Sequence, residues 1–117
     1  MTQTEKRLLL DRYKRYRLEG DLTDNVQEWL SLQSDLFHKK ISDNFQKGVS
    51  DILICVRGIF VACELKAEGN TASPHQIKFI ENVEKAGGIG GVCYTLDEVI
   101  QLVEKARKRW CDNDWRY

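Results

Sequence analysis

Two apolar runs separated by only two residues constrain the fold of this chain most strongly. Residues 51–56 read Asp-Ile-Leu-Ile-Cys-Val, residues 59–65 read Ile-Phe-Val-Ala-Cys-Glu-Leu, and Arg57 and Gly58 lie between them. β-Branched and aromatic residues favour strands, and a two-residue connection that contains glycine is typical of a tight antiparallel turn. We therefore predict a β-hairpin. Because both of its faces are apolar, we expect its strands in the centre of a sheet that is covered on two sides.

The residues before the hairpin predict two helices and a strand. Apolar residues near helical spacing predict a helix over 4–18, which Gly20 would end. A second helix is expected from about 23 to 33, and a short strand over 36–41. Two helices and one strand would therefore precede the hairpin.

The residues after the hairpin predict a helix, a strand and a final helix. The sequence Ser-Pro-His-Gln at 73–76 offers a capping serine, a proline for the first turn and a glutamine that completes a capping box, and Gly87 and Gly88 would end the helix. A strand over 90–94 and a second capping box at 95–98 follow. The apolar residues that we expect to face the core from the two helices are Ile77, Ile80, Val83, Val99, Ile100, Val103, Ala106 and Trp110.

The order of these elements, ααβββαβα, predicts an α/β fold in which helices flank a mixed sheet of about four strands. The hairpin is antiparallel, whereas the later strand-helix-strand connection requires a parallel crossover. A length of 117 residues suits one domain, and no linker or low-complexity stretch divides it. We expect a single domain over 1–117, with its core motifs in 36–103 and a basic helix at 4–18.

The cysteines and the N-terminal region indicate the cellular compartment in which we expect the protein. The four cysteines are far apart, and no nearby histidine would complete a zinc site, so we expect reduced thiols. The three consecutive leucines near the N-terminus are too few for a signal peptide, and no apolar run approaches the roughly 20 residues of a membrane span. These observations predict a soluble, cytoplasmic protein with no membrane partner.

Basic residues are concentrated at the two ends of a chain whose formal net charge is zero. Residues 1–18 contain six basic and two acidic side chains, and residues 105–109 contain four basic side chains and no acidic one. Such runs either bind phosphates at the rim of a metal site or are solvated helix faces. The candidate DNA-binding residues are Arg12, Arg15, Arg107 and Lys108.

Three ionisable residues meet at the open end of the predicted hairpin. If the two residues between the runs form the turn, counting outward brings Asp51 directly opposite Glu64, with Cβ atoms roughly 5 Å apart on one face. Lys66 follows Glu64 by two residues, so strand alternation puts it on that face as well. Glu64 and Lys66 alone would suit an ordinary ion pair at the end of a strand. All three residues in register favour a functional site.

Asp51 and Glu64, as carboxylates at this separation, repel each other by about 3 kcal/mol. Either a cation lies between them or one of them binds a proton. Hard oxygen ligands suit Mg²⁺ or Mn²⁺, which polarise a phosphodiester and activate water, and Lys66 would orient that water or stabilise the developing charge. The sequence therefore predicts metal-dependent phosphodiester hydrolysis.

Four short motifs carry a resemblance to a known family. They are Gly-Val-Ser-Asp at 48–51, Glu-Leu-Lys at 64–66, Ser-Pro-His-Gln at 73–76 and the glycine pair at 87–88. Over residues 36–103 the chain resembles the VRR-Nuc branch of the PD-(D/E)xK nuclease superfamily, whose pattern is Gly-x-Pro-Asp, Glu-x-Lys and a following Gln. Ser50 stands where proline is usual. Because that position is not a ligand, the departure concerns the local turn.

The resemblance implies a restriction-endonuclease-like fold and a role for each matched residue. Asp51, Glu64 and the main-chain carbonyl of Leu65 would bind the metal. Lys66 would be catalytic, and Gln76 would act near the attacking water or DNA in addition to capping its helix.

The resemblance also implies a substrate. Minimal members of the family resemble Holliday junction resolvases that act as homodimers, and a two-fold dimer would present paired sites to a symmetric junction. We therefore expect a metal-dependent endonuclease for structured DNA. The alternative is a catalytically inactive DNA-binding or interaction module on the same fold. Family members often add an acidic residue from an earlier helix, and the candidates here, both left outside the core site, are Asp24 and Glu28.

Overall fold

A four-stranded mixed sheet lies between helices in the computed structural model, which describes residues 2–6, 19–41 and 48–112. In chain order the elements are α1 (Glu19–Ser31), β1 (Leu36–Lys40), β2 (Ile52–Val56), β3 (Ile59–Leu65), α2 (Pro74–Lys85), β4 (Ile89–Cys93) and α3 (Leu96–Asp112). The strand order is β1-β2-β3-β4. The first three strands pair antiparallel and β4 pairs parallel to β3, which confirms the predicted α/β fold. None of the described helices is long and apolar enough to cross a membrane.

The turn between β2 and β3 has the predicted register and a left-handed backbone. Val56 pairs with Ile59, and both turn residues have a positive φ, 51° at Arg57 and 88° at Gly58. Two positive φ angles are typical of a type I′ turn, whose twist matches that of the flanking strands. Glycine adopts this conformation freely. The Arg57 guanidinium lies 4.3 Å from the centroid of the Trp110 ring, a contact that helps to offset the strain at a non-glycine residue.

The two faces of the sheet are covered by different helices. α2 packs on the face that carries Gly90, where a Cβ atom would lie 2.9 Å from Ile80. α3 packs on the opposite face, where a Cβ atom on Gly91 would lie 3.3 Å from Leu102, and α1 packs beside α3. The main core lies between this second face and its two helices and comprises Leu22, Val26, Leu30, Ile52, Ile54, Val56, Val61, Cys63, Leu65, Ile89, Cys93, Leu96, Val99, Val103 and Ala106.

The predicted boundaries of α1 are wrong at both ends. The helix begins at Glu19 and ends at Ser31, so it runs through Gly20, which was expected to end a helix. Glycine in a helix costs about 1 kcal/mol relative to alanine. Burial of Leu22 and Val26 in the same helix outweighs that cost, because each buried aliphatic side chain contributes about 1.5–3 kcal/mol. Residues 3–6 are helical, and the rest of the helix expected over 4–18 lies outside the described residues.

Part of the sheet face under α2 is exposed. α2 packs over β3 and β4, and the cross-strand row of Phe37, Cys55 and Phe60 is exposed, with Phe37 at 71% and Phe60 at 42%. Ile77, expected in the buried stripe of α2, is 40% exposed, whereas Ile80 is buried. The expectation that helices cover both faces of the hairpin is therefore wrong near the turn, where Cys55 and Phe60 are exposed.

An ion pair joins α3 to the loop before β1. Arg107 donates through Nε and Nη2 to the two carboxylate oxygens of Asp35, at 2.9 and 2.8 Å. Asp35 precedes Leu36, whose partner across the sheet is Val56 at the hairpin turn. The C-terminal half of α3 therefore lies at the turn end of the sheet, opposite to the end where Asp51 leads into β2.

Candidate active site

Asp51 and Glu64 face each other at the open end of the hairpin. The last residue pair of the ladder is Ile52 with Cys63, so the next pair outward is Asp51 with Glu64. The backbone N–H of Asp51 donates to Glu64 Oε2 at 3.2 Å, and the backbone N–H of Leu65 donates to Asp51 Oδ2 at 2.9 Å. These two hydrogen bonds hold the carboxylates side by side where β3 ends.

Lys66 lies on the same side of the hairpin as the two carboxylates. Its Nζ is 3.5 Å from Glu64 Oε1, and its side chain is only 17% exposed. Its backbone N–H donates to the carbonyl of Cys93 at 3.0 Å, which joins the residue to the end of β4. The structure therefore brings together the three residues that the hairpin register predicts.

Burial makes the charged form of Glu64 costly. The residue is fully buried, and desolvation, followed by the neighbouring Asp51 carboxylate, raises its pKa from 4.5 to about 7 although Lys66 opposes the change. Glu64 Oε1 accepts no hydrogen bond from the part of the chain that is described. A buried carboxylate oxygen that accepts no hydrogen bond, has the Lys66 ammonium at 3.5 Å and lies beside a second carboxylate is a suitable position for a cation.

The oxygen ligands at this site fit one hard divalent cation that keeps some coordination positions for other ligands. Asp51 and Glu64 offer carboxylate oxygens, which Mg²⁺ and Mn²⁺ prefer. No group of three or more His, Cys, Asp or Glu side chains that could hold a metal occurs among residues 2–6, 19–41 and 48–112. Mg²⁺ is commonly held by one or two carboxylates and keeps positions for water or phosphate oxygens. Two carboxylates are therefore enough for such an ion.

The start of α2 packs against the loop that leads to Asp51. A Cβ atom on Gly48 would lie 2.7 Å from His75 Cβ, so only glycine permits this contact. Gln76 N–H donates to Ser73 Oγ at 3.2 Å, and Ser73 N–H donates to Gln76 Oε1 at 2.7 Å, which confirms the predicted capping box. Gln76 thus lies in a turn that touches this loop. Its amide oxygen serves the cap.

Ser50 differs from the family pattern at the residue before Asp51. It is fully buried, and its hydroxyl has no hydrogen-bond partner within the described residues. The loop nevertheless delivers Asp51 to the predicted register opposite Glu64. The missing proline therefore leaves the geometry of the carboxylate pair intact.

The structure separates the C-terminal basic residues from the carboxylates. Arg107 and Lys108 lie near the C-terminal end of α3, at the turn end of the sheet, whereas Asp51 lies beyond the opposite end of the five-residue strand β2. A strand of that length spans roughly 17 Å. The expected phosphate-binding rim around the metal site is therefore not formed by this basic run.

The candidate DNA-binding residues also differ in how they are engaged. Arg107 donates to Asp35, Gln33 and Glu104, so its guanidinium is already bound by acceptors within the protein. Lys108 is 78% exposed and lies 3.2 Å from Asp112. The other two candidates, Arg12 and Arg15, lie outside the described residues.

The acidic candidates on α1 lie apart from the core of the protein. Asp24 and Glu28 are both exposed, whereas the buried side of the helix, with Leu22 and Val26, packs against the sheet and α3. The structure gives neither residue a contact with Asp51. Both stay outside the core site.

Sequence reasoning missed Tyr94, which was expected only as the end of a strand. Its hydroxyl donates to the carbonyl of Asn70 at 2.9 Å, in the segment that follows Lys66. The parallel pairing of β3 and β4 indicates this contact, because the carboxyl ends of the two strands adjoin. Residues directly after β4 must therefore lie beside residues directly after β3.

Two solved structures are similar to this fold. One, described as a VRR_NUC domain, has 26% sequence identity and a TM-score of 0.61 over 74% of this chain and 94% of that chain. The other, described as a VRR_NUC domain protein, has 23% identity and a TM-score of 0.58 over 74% of this chain and 84% of that chain. No protein-family model and no curated protein matches the sequence. Together with the matched motifs, the likeness to the 26% identical domain supports assignment of this chain to the VRR-Nuc family, and the second structure has the same fold.

Proposed function

We propose that this protein is a metal-dependent deoxyribonuclease that hydrolyses phosphodiester bonds with Asp51, Glu64 and Lys66. The observation that carries the proposal is the hydrogen-bonded pair of Asp51 and Glu64, in which a fully buried carboxyl group with a pKa of about 7 lies beside a second one. Such a pair lowers stability unless a cation neutralises it or one of the two carboxyl groups binds a proton. The VRR_NUC description of both similar structures supports a nuclease reaction.

Each residue of the site has a distinct role in this proposal. The carboxylates of Asp51 and Glu64 and the carbonyl of Leu65 hold Mg²⁺ or Mn²⁺, which when bound polarises the phosphate as a Lewis acid. Lys66, with its Nζ 3.5 Å from Glu64 Oε1, donates to the attacking water or to the phosphate oxygen that gains charge. The NH₂ group of Gln76 orients water or the DNA backbone.

Structured DNA, with the four-way junction as the leading example, is the proposed substrate, and a homodimer is the proposed active form. The support is the motif resemblance together with the match between a two-fold dimer and a two-fold junction. The exposed row of Phe37, Cys55 and Phe60 offers an apolar surface for self-association. A groove of about 370 Å³ between Phe60 and α2 extends that surface.

The basic residues are the proposed phosphate contacts. We retain Arg12, Arg15, Arg107 and Lys108, and we rank Lys108 above Arg107 because it is 78% exposed whereas the Arg107 guanidinium already serves Asp35. α3 packs on the sheet face opposite to the one that carries Glu64, so contacts from Arg107 and Lys108 would lie away from the bond that is cut.

The test compares the cleavage of four labelled DNAs by wild type and by isosteric variants. Four-way junction, flap, duplex and single-stranded DNA are incubated with Mg²⁺, Mn²⁺ or EDTA. We expect metal-dependent products from wild type and none from Asp51→Asn or Glu64→Gln. The matched control Glu84→Gln, at an exposed position in the last turn of α2 at the turn end of the sheet, should retain activity.

Three outcomes would count against the proposal. Equal products from wild type and Asp51→Asn would remove Asp51 from the mechanism. DNA binding that EDTA leaves unchanged, with no cleavage of any substrate, would favour the inactive DNA-binding module. Sedimentation velocity on the same samples tests the homodimer, and a monomer at every concentration and in the presence of junction DNA would exclude it.

A further inference from the structure

Tyr94 connects the end of β4 to the segment that follows Lys66. Its hydroxyl donates to the main-chain carbonyl of Asn70 at 2.9 Å, across a sequence separation of 24 residues. The residue is 37% exposed, so its ring lies at the surface of the sheet end where the carboxylates meet. The hydroxyl is therefore placed to act on the shape of this surface segment.

The segment after Lys66 is held to the end of β4 at two points. The Lys66 N–H donates to the carbonyl of Cys93 at 3.0 Å, and the Asn70 carbonyl accepts from Tyr94. Between these points, the Asn70 N–H donates to the carbonyl of Ala67 at 3.0 Å and closes a turn. Cys93 and Tyr94, which are adjacent in the sequence, thus hold the residue before the 67–70 turn and the last residue of that turn.

Tyr94 itself is fixed by the start of α3. Its N–H donates to Glu98 Oε2 at 2.9 Å, and the Glu98 N–H donates to Thr95 Oγ1 at 3.2 Å. These two bonds satisfy backbone donors at the helix start, with Glu98 accepting from the N–H of Tyr94 instead of that of Thr95, and they hold the entering chain in one conformation. The tyrosine hydroxyl therefore extends from a rigid junction between β4 and α3 to a surface turn.

We propose that Tyr94 is a positioning residue that holds the 67–70 turn and thereby keeps Lys66 in place beside Glu64. The proposal rests on the proposed nuclease function for its catalytic consequence. A lysine side chain has many rotamers, and the position of Nζ relative to Glu64 depends on where the backbone at Lys66 is fixed. Small displacements of a catalytic group lower the rate of the chemical step more than substrate binding.

The test uses Tyr94→Phe, which keeps the ring and removes the hydroxyl. Loss of one net hydrogen bond should make amide hydrogen exchange at the Asn70 N–H about fivefold faster. We also expect kcat on the best DNA substrate to fall several-fold, with KM unchanged. Asn70→Ala is the matched comparison, because it removes the side chain and retains the carbonyl that accepts from Tyr94, so exchange and kcat should stay at the wild-type values.

Each result decides a different part of the proposal. Unchanged exchange in Tyr94→Phe would show that the hydroxyl does not hold the turn. Faster exchange with unchanged kcat would exclude a positioning role in catalysis. A proportional rise in KM without a change in kcat would assign Tyr94 to DNA binding and overturn the proposal. If wild type cuts no DNA, the nuclease proposal fails by itself, and hydrogen exchange still decides whether Tyr94 holds the turn.

Discussion

The backbone N–H of Asp51 donates to Glu64 Oε2 at 3.2 Å, so the residue that brings one carboxylate to the site also fixes the other. In return, Asp51 Oδ2 accepts from the N–H of Leu65, the residue after Glu64. Each carboxylate is thus oriented by the backbone of the opposite strand. The cost of this arrangement is that the metal-free protein must keep a buried acid beside a second acid.

Glu64→Gln is expected to stabilise the metal-free protein above pH 7. The Glu64 pKa is raised from 4.5 to about 7, so the folded protein binds this proton more tightly than the unfolded chain does. The free energy of unfolding therefore falls as the pH rises from 4.5 to 7. Glutamine carries no charge to desolvate, so the variant should be more stable by about 2 kcal/mol at pH 8.

Thermal unfolding in EDTA at pH 4 and pH 8 measures this difference. The stability gain of Glu64→Gln should be small at pH 4, where the wild-type carboxyl group is protonated in both folded and unfolded states. A variant that is less stable than wild type at pH 8 would contradict the raised pKa.

Lys66→Met is expected to lower kcat strongly while metal binding persists. Methionine retains most of the side-chain length and removes the ammonium group that lies 3.5 Å from Glu64 Oε1. Loss of one preorganised donor to a developing charge costs roughly 100- to 1,000-fold in kcat. Single-turnover cleavage and Mn²⁺ titration calorimetry measure the two effects. Lys85→Met, in the last turn of α2, is the control, and a similar loss of kcat in that variant would refute a specific role for Lys66.

Asp35→Asn is expected to destabilise the protein by about 1–3 kcal/mol, because it removes the charged acceptor of two Arg107 hydrogen bonds. The Arg107 hydrogen bond lowers the Asp35 pKa below 3.8, so this contribution is present at neutral pH and is lost as the pH falls through that lowered value. Urea unfolding at pH 7 measures the loss. Asp112→Asn, whose partner Lys108 is 78% exposed, should change stability little, and equal losses in the two variants would refute a special role for the Asp35 pair.

Lys108→Gln is expected to flatten the salt dependence of DNA binding. Each phosphate contact contributes about 0.9 to the slope of log K against log salt concentration, so one lost contact should reduce the slope by roughly that amount. Fluorescence anisotropy with a catalytically inactive Asp51→Asn background measures binding without cleavage. A slope that does not change would assign Lys108 to its ion pair with Asp112 and to solvent.

The sequence predicts the features that depend on residues close to one another in the chain. The two-residue turn at Arg57 and Gly58 determines the ladder by counting, and the count leads directly to Asp51 opposite Glu64. The cap of α2 also follows from a few adjacent residues, and Ser73 and Gln76 form it as expected. Such features need no knowledge of distant contacts.

Features that depend on distant residues could not be predicted in the same way. Arg107 and Asp35 are 72 residues apart, and no local pattern indicates that the basic run of α3 lies at the turn end of the sheet. Gly20 was expected to end a helix, but burial of Leu22 in the assembled core keeps it helical. The contact of Tyr94 with Asn70 also joins distant residues, and the predicted parallel crossover indicates only that the segments after β3 and β4 adjoin, not which residues meet.

Anomalous diffraction from crystals soaked in Mn²⁺ tests the central claim most directly, because it locates the ion without relying on a particular DNA substrate. We expect one anomalous peak between the carboxylates of Asp51 and Glu64, and no peak there in Asp51→Asn crystals. Mn²⁺ bound only elsewhere, or a peak that persists unchanged in Asp51→Asn, would contradict a metal-dependent nuclease site at the end of this hairpin.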